Sequence, residues 1–225
     1  SEMCIRDRYI TQTLYTGTDG ENGLYYHDGQ GAYINADQEA EDYSYRYAGS
    51  NPNNYVCFGS DEEVCPVDNL YRIIGVFGDQ VKLIKYDYAD TTMLGEDGDY
   101  SQTYTTTFYS GKLNNADTWY RYYWNYSNGS SSTNDWSASR LNTVNLNTNY
   151  WNYLTADWQE KIATTSWKVG GNTAENIYTT SVKNTYQNEI VSPAESTTYS
   201  AKVGLMYVSD YAVSYTHLRA HETLS

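Results

Sequence analysis

The stretch that most constrains the fold is residues 68–87, which has the pattern of a β-hairpin. Residues 70–77 form an almost unbroken apolar run, residues 80–86 form a second β-rich run, and Gly78-Asp79 separates them. Two such runs joined by a two-residue Gly-Asp turn predict a tight hairpin. The first arm is apolar on both faces, so we expect a central strand. In the second arm the side chains alternate in character along the strand, so we expect this strand to be half-buried.

Both ends of the sequence read as translated sequencing-adapter DNA. Residues 1–7, SEMCIRD, and residues 213–219, VSYTHLR, can be encoded on opposite strands of one DNA segment. Such a match is improbable by chance and resembles an adapter read through at each end of an assembled fragment. We therefore expect residues 1–8 and 213–225 to lie outside the natural protein, which would continue beyond both ends.

The composition is acidic and rich in tyrosine. The formal net charge is −14 and the sequence pI is near 4.4, so the chain repels phosphate backbones and nucleic acid is an unfavourable partner. The 27 Tyr and 6 Trp, together with abundant Thr, Asn and Ser, are typical of an extracellular or cell-surface protein. Any membrane attachment would then come through a missing terminus.

Cys57 and Cys65 enclose a short acidic loop in the spacing Cys-x7-Cys. Zinc ligands normally occur as closer pairs with a second pair elsewhere, and redox-active thiols as Cys-x-x-Cys. A disulfide fits the spacing better than either alternative and agrees with an extracellular location.

The densest aromatic run is residues 119–126, WYRYYWNY. Aromatic stripes are usually core, but a strand with rings on both faces also suits sugar stacking or contact with a partner protein. We take as candidate ligand contacts Trp119, Tyr120, Tyr122, Tyr123, Trp124 and Tyr126.

The sequence predicts no catalytic residue, no metal site and no cofactor. His27 is the one histidine outside the two adapter-like ends, and zinc needs three or four ligands, so we expect a surface side chain. The acidic run at residues 37–42 lacks the ligand order of an EF-hand and favours a solvated loop over a calcium site.

Short elements are expected elsewhere. We predict strands at Leu14-Tyr15 and at residues 24–26, and a helix capped by Ser137 with Leu141 and Val144 on its buried side.

In the last third, a second helix should start near Thr155, with Trp158 and Ile162 facing the core. A strand is expected at residues 165–169 and a helix around residues 182–190. Residues 201–209 should form a second central strand, in the hairpin's sheet, with a bulge or a close backbone approach at Gly204.

Four segments together resemble a family of uncharacterised bacterial surface or secreted proteins with a domain of unknown function. They are residues 51–89, residues 136–147 (WSASRLNTVNLN), residues 167–171 (WKVGG) and residues 201–211 (AKVGLMYVSDY). The resemblance implies a fold related to C-type-lectin-like and formylglycine-generating-enzyme domains, and no assigned activity.

The expected fold is therefore α+β, a single antiparallel or mixed sheet with short helices, C-type-lectin-like and truncated at the C-terminus. Residues 9–54 would form a polar N-terminal region and residues 55–212 the domain. The expected function is a non-catalytic binding or adhesion module for glycans or surface proteins. A structural subunit of a pilus-like assembly and a hydrolase on the same fold are the alternatives.

Overall fold

The computed structural model describes residues 7–28, 43–49, 51–95, 135–139, 141–169, 187–191, 198–208 and 210. These residues form an α+β arrangement of two antiparallel sheets and several short helices. The coarse fold class predicted from the sequence is thus confirmed.

The larger sheet has five strands, and the predicted hairpin is at its centre. Its order is β1-β2-β4-β3, with β5 hydrogen-bonded to the other edge of β4. The strands are β1 (Leu24–His27), β2 (Ser44–Tyr47), β3 (Tyr55–Cys57), β4 (Leu70–Phe77) and β5 (Gln80–Lys85). Strand β4 pairs with three others, which confirms it as the central strand.

Gly75 allows β2 and β4 to pair. A Cβ atom at this position would lie 2.3 Å from the carbonyl oxygen of Tyr45, on the neighbouring strand. The register of the hairpin also shifts between Ile73 and Gly75, as at a β-bulge. The single glycine inside the apolar run therefore marks a close backbone approach.

A separate two-stranded sheet, which we call the ribbon, corrects the prediction of a single sheet. It consists of β6 (Thr165–Lys168) and β7 (Thr198–Ala201). The strand predicted at residues 165–169 is confirmed, but that predicted at residues 201–209 is wrong, because β7 ends at Ala201. Beyond it, the main chain of Val203 bonds to a side chain instead of a strand.

The helices are short. They are α1 (Thr91–Leu94), α2 (Leu141–Tyr150, with π-helical turns), α3 (Trp151–Tyr153) and α4 (Ala156–Gln159). Single helical turns occur at Ile10–Leu14, Glu21–Gly23, Val67–Asn69, Trp136–Ala138 and Gln187–Val191. Among the described residues, no helix has the length and apolar character needed to cross a membrane.

Two apolar clusters form the core. The first contains Ile10, Leu24, Tyr47, Ile73 and Val76, and the second contains Phe58, Tyr71, Leu154 and Trp158. Half-buried Val56 and Leu83 pack against both clusters and so connect them. Trp158 lies in the second cluster with Ile162 against it, so the predicted core contact of both residues is confirmed, although α4 ends at Gln159 and Ile162 follows the helix.

Two local predictions in the N-terminal region are wrong. Leu14-Tyr15 is not a strand, because a helical turn places Ile10 in the first cluster and the Tyr15 amide donates to the Ile10 carbonyl. His27 is not on the surface. It ends β1 opposite Ser44 and its exposed fraction is 0%.

Candidate functional site

A cavity of about 500 Å³ separates the central hairpin from the ribbon, and we call it the hairpin–ribbon cavity. Strand β5 forms one wall, and β6 together with residues 202–207 forms the opposite wall. The rings that line it are those of Phe58, Tyr71, Phe77, Tyr150, Trp167 and Tyr207. A concave, mostly apolar site of this size with several aromatic rings is typical of small-ligand binding.

A buried ion triad is part of the lining of this cavity. The Oδ1 atom of Asp210 is 2.9 Å from Nη1 of Arg46, and Oδ2 contacts the ammonium of Lys82. The side chains of Arg46 and Asp210 are only 4% and 2% exposed. Each oxygen of the carboxylate therefore contacts one positively charged side chain. The triad therefore joins the C-terminal part of the described chain to the larger sheet.

Aromatic rings surround the two cations of the triad. The Arg46 guanidinium lies 4.7 Å from the centroid of Phe77. The Lys82 ammonium lies 4.2 Å from the ring of Tyr207 and 5.6 Å from that of Trp167. Cation–π contacts of this kind stabilise a charge that has lost water. They also fix the rings that a ligand would meet.

Trp167 is held in one orientation from three directions. Its indole nitrogen donates to the Ala201 carbonyl at 3.1 Å, and the Tyr207 ring packs edge-on with centroids 6.2 Å apart. A Cβ atom on Gly204 would lie 2.6 Å from the indole ring, so glycine lets the backbone reach the ring face. The close approach predicted at Gly204 is confirmed.

The Tyr207 hydroxyl accepts a hydrogen bond from the Lys168 amide at 2.8 Å. Burial is the main cause that raises the pKa of Tyr207 to about 12. The Lys168 hydrogen bond lowers this pKa, and the negative charges of Asp210 and Glu189 add to the rise. The phenol therefore stays neutral at physiological pH and offers a polar group inside an aromatic wall.

The helix next to the cavity buries amides instead of aliphatic side chains. The prediction that Leu141 and Val144 form its inner face is wrong, because Asn142 and Asn145 are 0% and 2% exposed. The turns of α2 close at i, i+5, and Asn147 accordingly donates to the side-chain oxygen of Asn142 at 2.7 Å.

Residues before α2 also differ from the prediction. Ser137 does not cap the helix. It lies inside a 3-10 turn, where its amide donates to Asp135 at 2.9 Å. The Ser139 hydroxyl, two residues later, accepts from the Asn142 amide at 3.1 Å and serves as the cap.

Sequence reasoning overlooked the role of these asparagines. Asn145 and Asn149 both donate to the Leu94 carbonyl, at 2.9 and 2.8 Å, and Asn147 binds the main chain of Val203. The sequence did carry a signal, because four Asn residues occur within residues 142–149. Asn has low helix propensity, so their concentration in a segment predicted to be helical indicates another role. Their amides position α1 and one wall of the cavity.

A second, larger cleft has a different character, and we call it the neutral cleft. It holds about 800 Å³, and its described lining is rich in Tyr, Asn and Gly and contains no charged side chain. Tyr55 lies at this cleft with its hydroxyl 3.2 Å from the side-chain oxygen of Asn51.

The two predicted sets of site residues have different outcomes. Cys57 and Cys65 form a disulfide, with Cα atoms 5.7 Å apart. It lies at the end of β3, and the adjoining Phe58 lines the hairpin–ribbon cavity. The aromatic run at residues 119–126 lies outside the described residues, as do the acidic run at residues 37–42 and most of the helix predicted at residues 182–190.

Within the described part of the chain, no group of three or more His, Cys, Asp or Glu side chains is placed to hold a metal ion. No family model matches the sequence, and neither a curated protein nor a solved structure matches it.

Proposed function

We propose that this protein is an extracellular or cell-surface, non-catalytic binding module, and that it binds a glycan in the hairpin–ribbon cavity. The observation that carries the proposal is the fixed Trp167 ring facing a cavity of about 500 Å³. A sugar ring has an apolar face that stacks on an aromatic side chain. Its hydroxyls would find partners in the neighbouring polar side chains of Gln80, Thr165 and Ser166.

The chemistry of the lining favours binding over hydrolysis. A glycosidase normally needs two carboxyl groups across the cleft, and the described lining offers Asp210 alone. Both oxygens of that carboxylate already contact cations, so it is poorly placed to exchange a proton with a substrate.

Three finer predictions remain part of this proposal. We propose that the α+β fold is the C-type-lectin-like one that the resemblance implies, and that the protein works in an oxidising compartment, which the disulfide suits. We also propose that the aromatic run at residues 119–126 contributes to ligand contact.

The test is a glycan array, followed by titration of the best ligand against the wild type, W167L and W151L. W151L is the control for W167L, because it also removes one indole ring. Trp151 is half-buried and does not line the cavity. We expect W167L to weaken binding about two- to tenfold and W151L to leave it unchanged. A blank array, or equal effects of both variants, would contradict the proposal.

A further inference from the structure

The hairpin–ribbon cavity reverses the charge balance of the chain. The sequence has 14 basic and 28 acidic residues. The described lining of the cavity contains one acidic residue, Asp210, and five basic residues, which are Arg46, Lys82, Lys161, Lys168 and Lys202. An acidic protein that gathers cations around one concave, aromatic site attracts a negatively charged ligand to that site.

The neutral cleft shows that this is a local property. It is larger than the hairpin–ribbon cavity, yet no charged side chain occurs in its described lining. The basic residues are therefore concentrated at one of the two concavities and are not a general feature of recessed surface.

A smaller cavity of about 180 Å³ adjoins the first and extends the basic surface. The two share Lys82, Trp167 and Gly204, and the smaller cavity adds Lys85 on β5. The ammonium nitrogen of Lys85 is buried and has no hydrogen-bond partner among the described residues. Burying an ammonium without a partner is costly, so a negative charge placed in the adjoining cavity would be favourable.

The basic side chains differ in how far they are already engaged. Lys82 contacts Asp210, and the Lys202 ammonium donates to the Ile162 carbonyl at 2.7 Å. In the described part of the chain, neither Lys85 nor Lys168 directs its ammonium to an ion pair. Lys168 immediately follows Trp167 and is half-buried. Lys168 therefore has donors to offer at the hairpin–ribbon cavity, and Lys85 adds a buried positive charge at the adjoining one.

We infer that the ligand of the hairpin–ribbon cavity is an acidic saccharide, whose carboxylate or sulfate group is bound by Lys168 while a sugar ring lies against Trp167, and that the buried Lys85 charge in the adjoining cavity favours the same anion through its positive potential. This inference rests on the proposed function and adds the charge class of the ligand. A saccharide is favoured over an acidic peptide because the lining combines a fixed indole with several neutral hydrogen-bonding side chains.

The experiment is calorimetric titration of the 225-residue chain with three trisaccharides of equal length. They are trigalacturonate, a sulfated galactotriose and neutral galactotriose, and an oligoglutamate serves as the peptide comparison. We expect at least one acidic trisaccharide to bind about tenfold or more tightly than the neutral one. That preference should shrink as salt concentration rises. The two acidic probes distinguish carboxylate from sulfate.

Three charge-matched variants locate the effect. K85M and K168M should each remove most of the preference for the acidic trisaccharide while retaining binding of the neutral one. R8M removes one positive charge at an exposed side chain outside both cavities, so it should bind like the wild type. K85M removes a buried, unpartnered ammonium and should fold at least as well as the wild type. If K85M does not fold, the affinity of K168M and the salt dependence of binding still test the inference.

The outcomes separate the inference from the proposed function. Equal affinity for acidic and neutral trisaccharides, both lost in W167L, would overturn the inference and leave the glycan-binding proposal standing. Tighter binding of oligoglutamate than of every saccharide would also overturn the inference, because the site would then recognise acidic peptide. Absence of binding to all the saccharides, here and on the array, would contradict both.

Discussion

Asn147 binds both main-chain polar groups of Val203 with one side-chain amide. Its Nδ2 atom donates to the Val203 carbonyl at 3.0 Å, and its Oδ1 atom accepts from the Val203 amide at 3.1 Å. The two bonds reproduce the pattern that a neighbouring strand would supply. They hold residues 202–204, which form part of the cavity wall, against α2.

The first prediction concerns this amide. In N147D the donor is lost and a carboxylate oxygen faces the Val203 carbonyl, so we expect the free energy of unfolding to fall by about 1–3 kcal/mol. N152D makes the same change at an exposed asparagine of α3, two residues beyond the end of α2, and should change stability by less than about 0.5 kcal/mol. Urea denaturation compares the two, and equal losses would contradict the prediction.

The second prediction concerns the triad. D210N leaves Arg46 and Lys82 buried without the carboxylate that contacts both, so we expect a loss of about 3–5 kcal/mol. D61N removes an exposed carboxylate from the cystine loop and is the matched control. The measurement is the midpoint of thermal unfolding at neutral pH. A D210N midpoint equal to that of D61N would show that the triad does not join the two parts of the fold.

Stability should fall at alkaline pH because two phenols are buried. Burial raises the pKa of Tyr207 from 10.0 to about 12, and burial together with the contact to Tyr71 raises that of Tyr150. A raised folded-state pKa contributes stability that is complete below the unfolded value near 10.0. That stability is lost as pH rises through the folded value.

The denaturation midpoint should therefore be steady near pH 8 and fall steeply from about pH 10 towards pH 12. The double variant Y150F/Y207F, compared with the wild type, should show a shallower fall. Parallel pH profiles for the two proteins would contradict the assignment of the alkaline loss to these phenols.

The fourth prediction concerns the cystine. Cys57 and Cys65 are separated by 8 positions, and loop-closure entropy gives their disulfide about 2.5 kcal/mol. In a C4S background, C57S/C65S should lower the free energy of unfolding, measured by urea denaturation, by that amount. Reductant should lower the free energy of unfolding of the C4S parent and leave that of C57S/C65S unchanged. Two reactive thiols in the non-reduced parent would rule out the disulfide.

The hairpin was predictable because its information is local. The apolar run, the Gly-Asp turn and the alternating second arm lie within residues 68–87, and they specify β4, β5 and the central place of β4. The start of α4 was predictable for a similar reason, since Thr155 and Trp158 are close in sequence.

The cavity was not predictable in the same way, because its walls meet through distant pairs. Arg46 and Asp210 are 164 positions apart, and nothing near either residue indicates the other. The apolar run after Ala201 has a strand-like pattern, but the Asn147 amide binds its main chain. Hydrophobic periodicity also predicts that apolar side chains form the buried face of a helix, whereas the π-helical turns of α2 bury Asn142.

The most direct test of the account is an NMR titration of the isotopically labelled chain with trigalacturonate, with the six indole N–H signals assigned by single substitutions. We expect the largest change at Trp167, in the hairpin–ribbon cavity, and little change at Trp158, in the core cluster. Binding that perturbs the Trp167 signal no more than the Trp158 signal would show that the ligand binds elsewhere and would contradict the account.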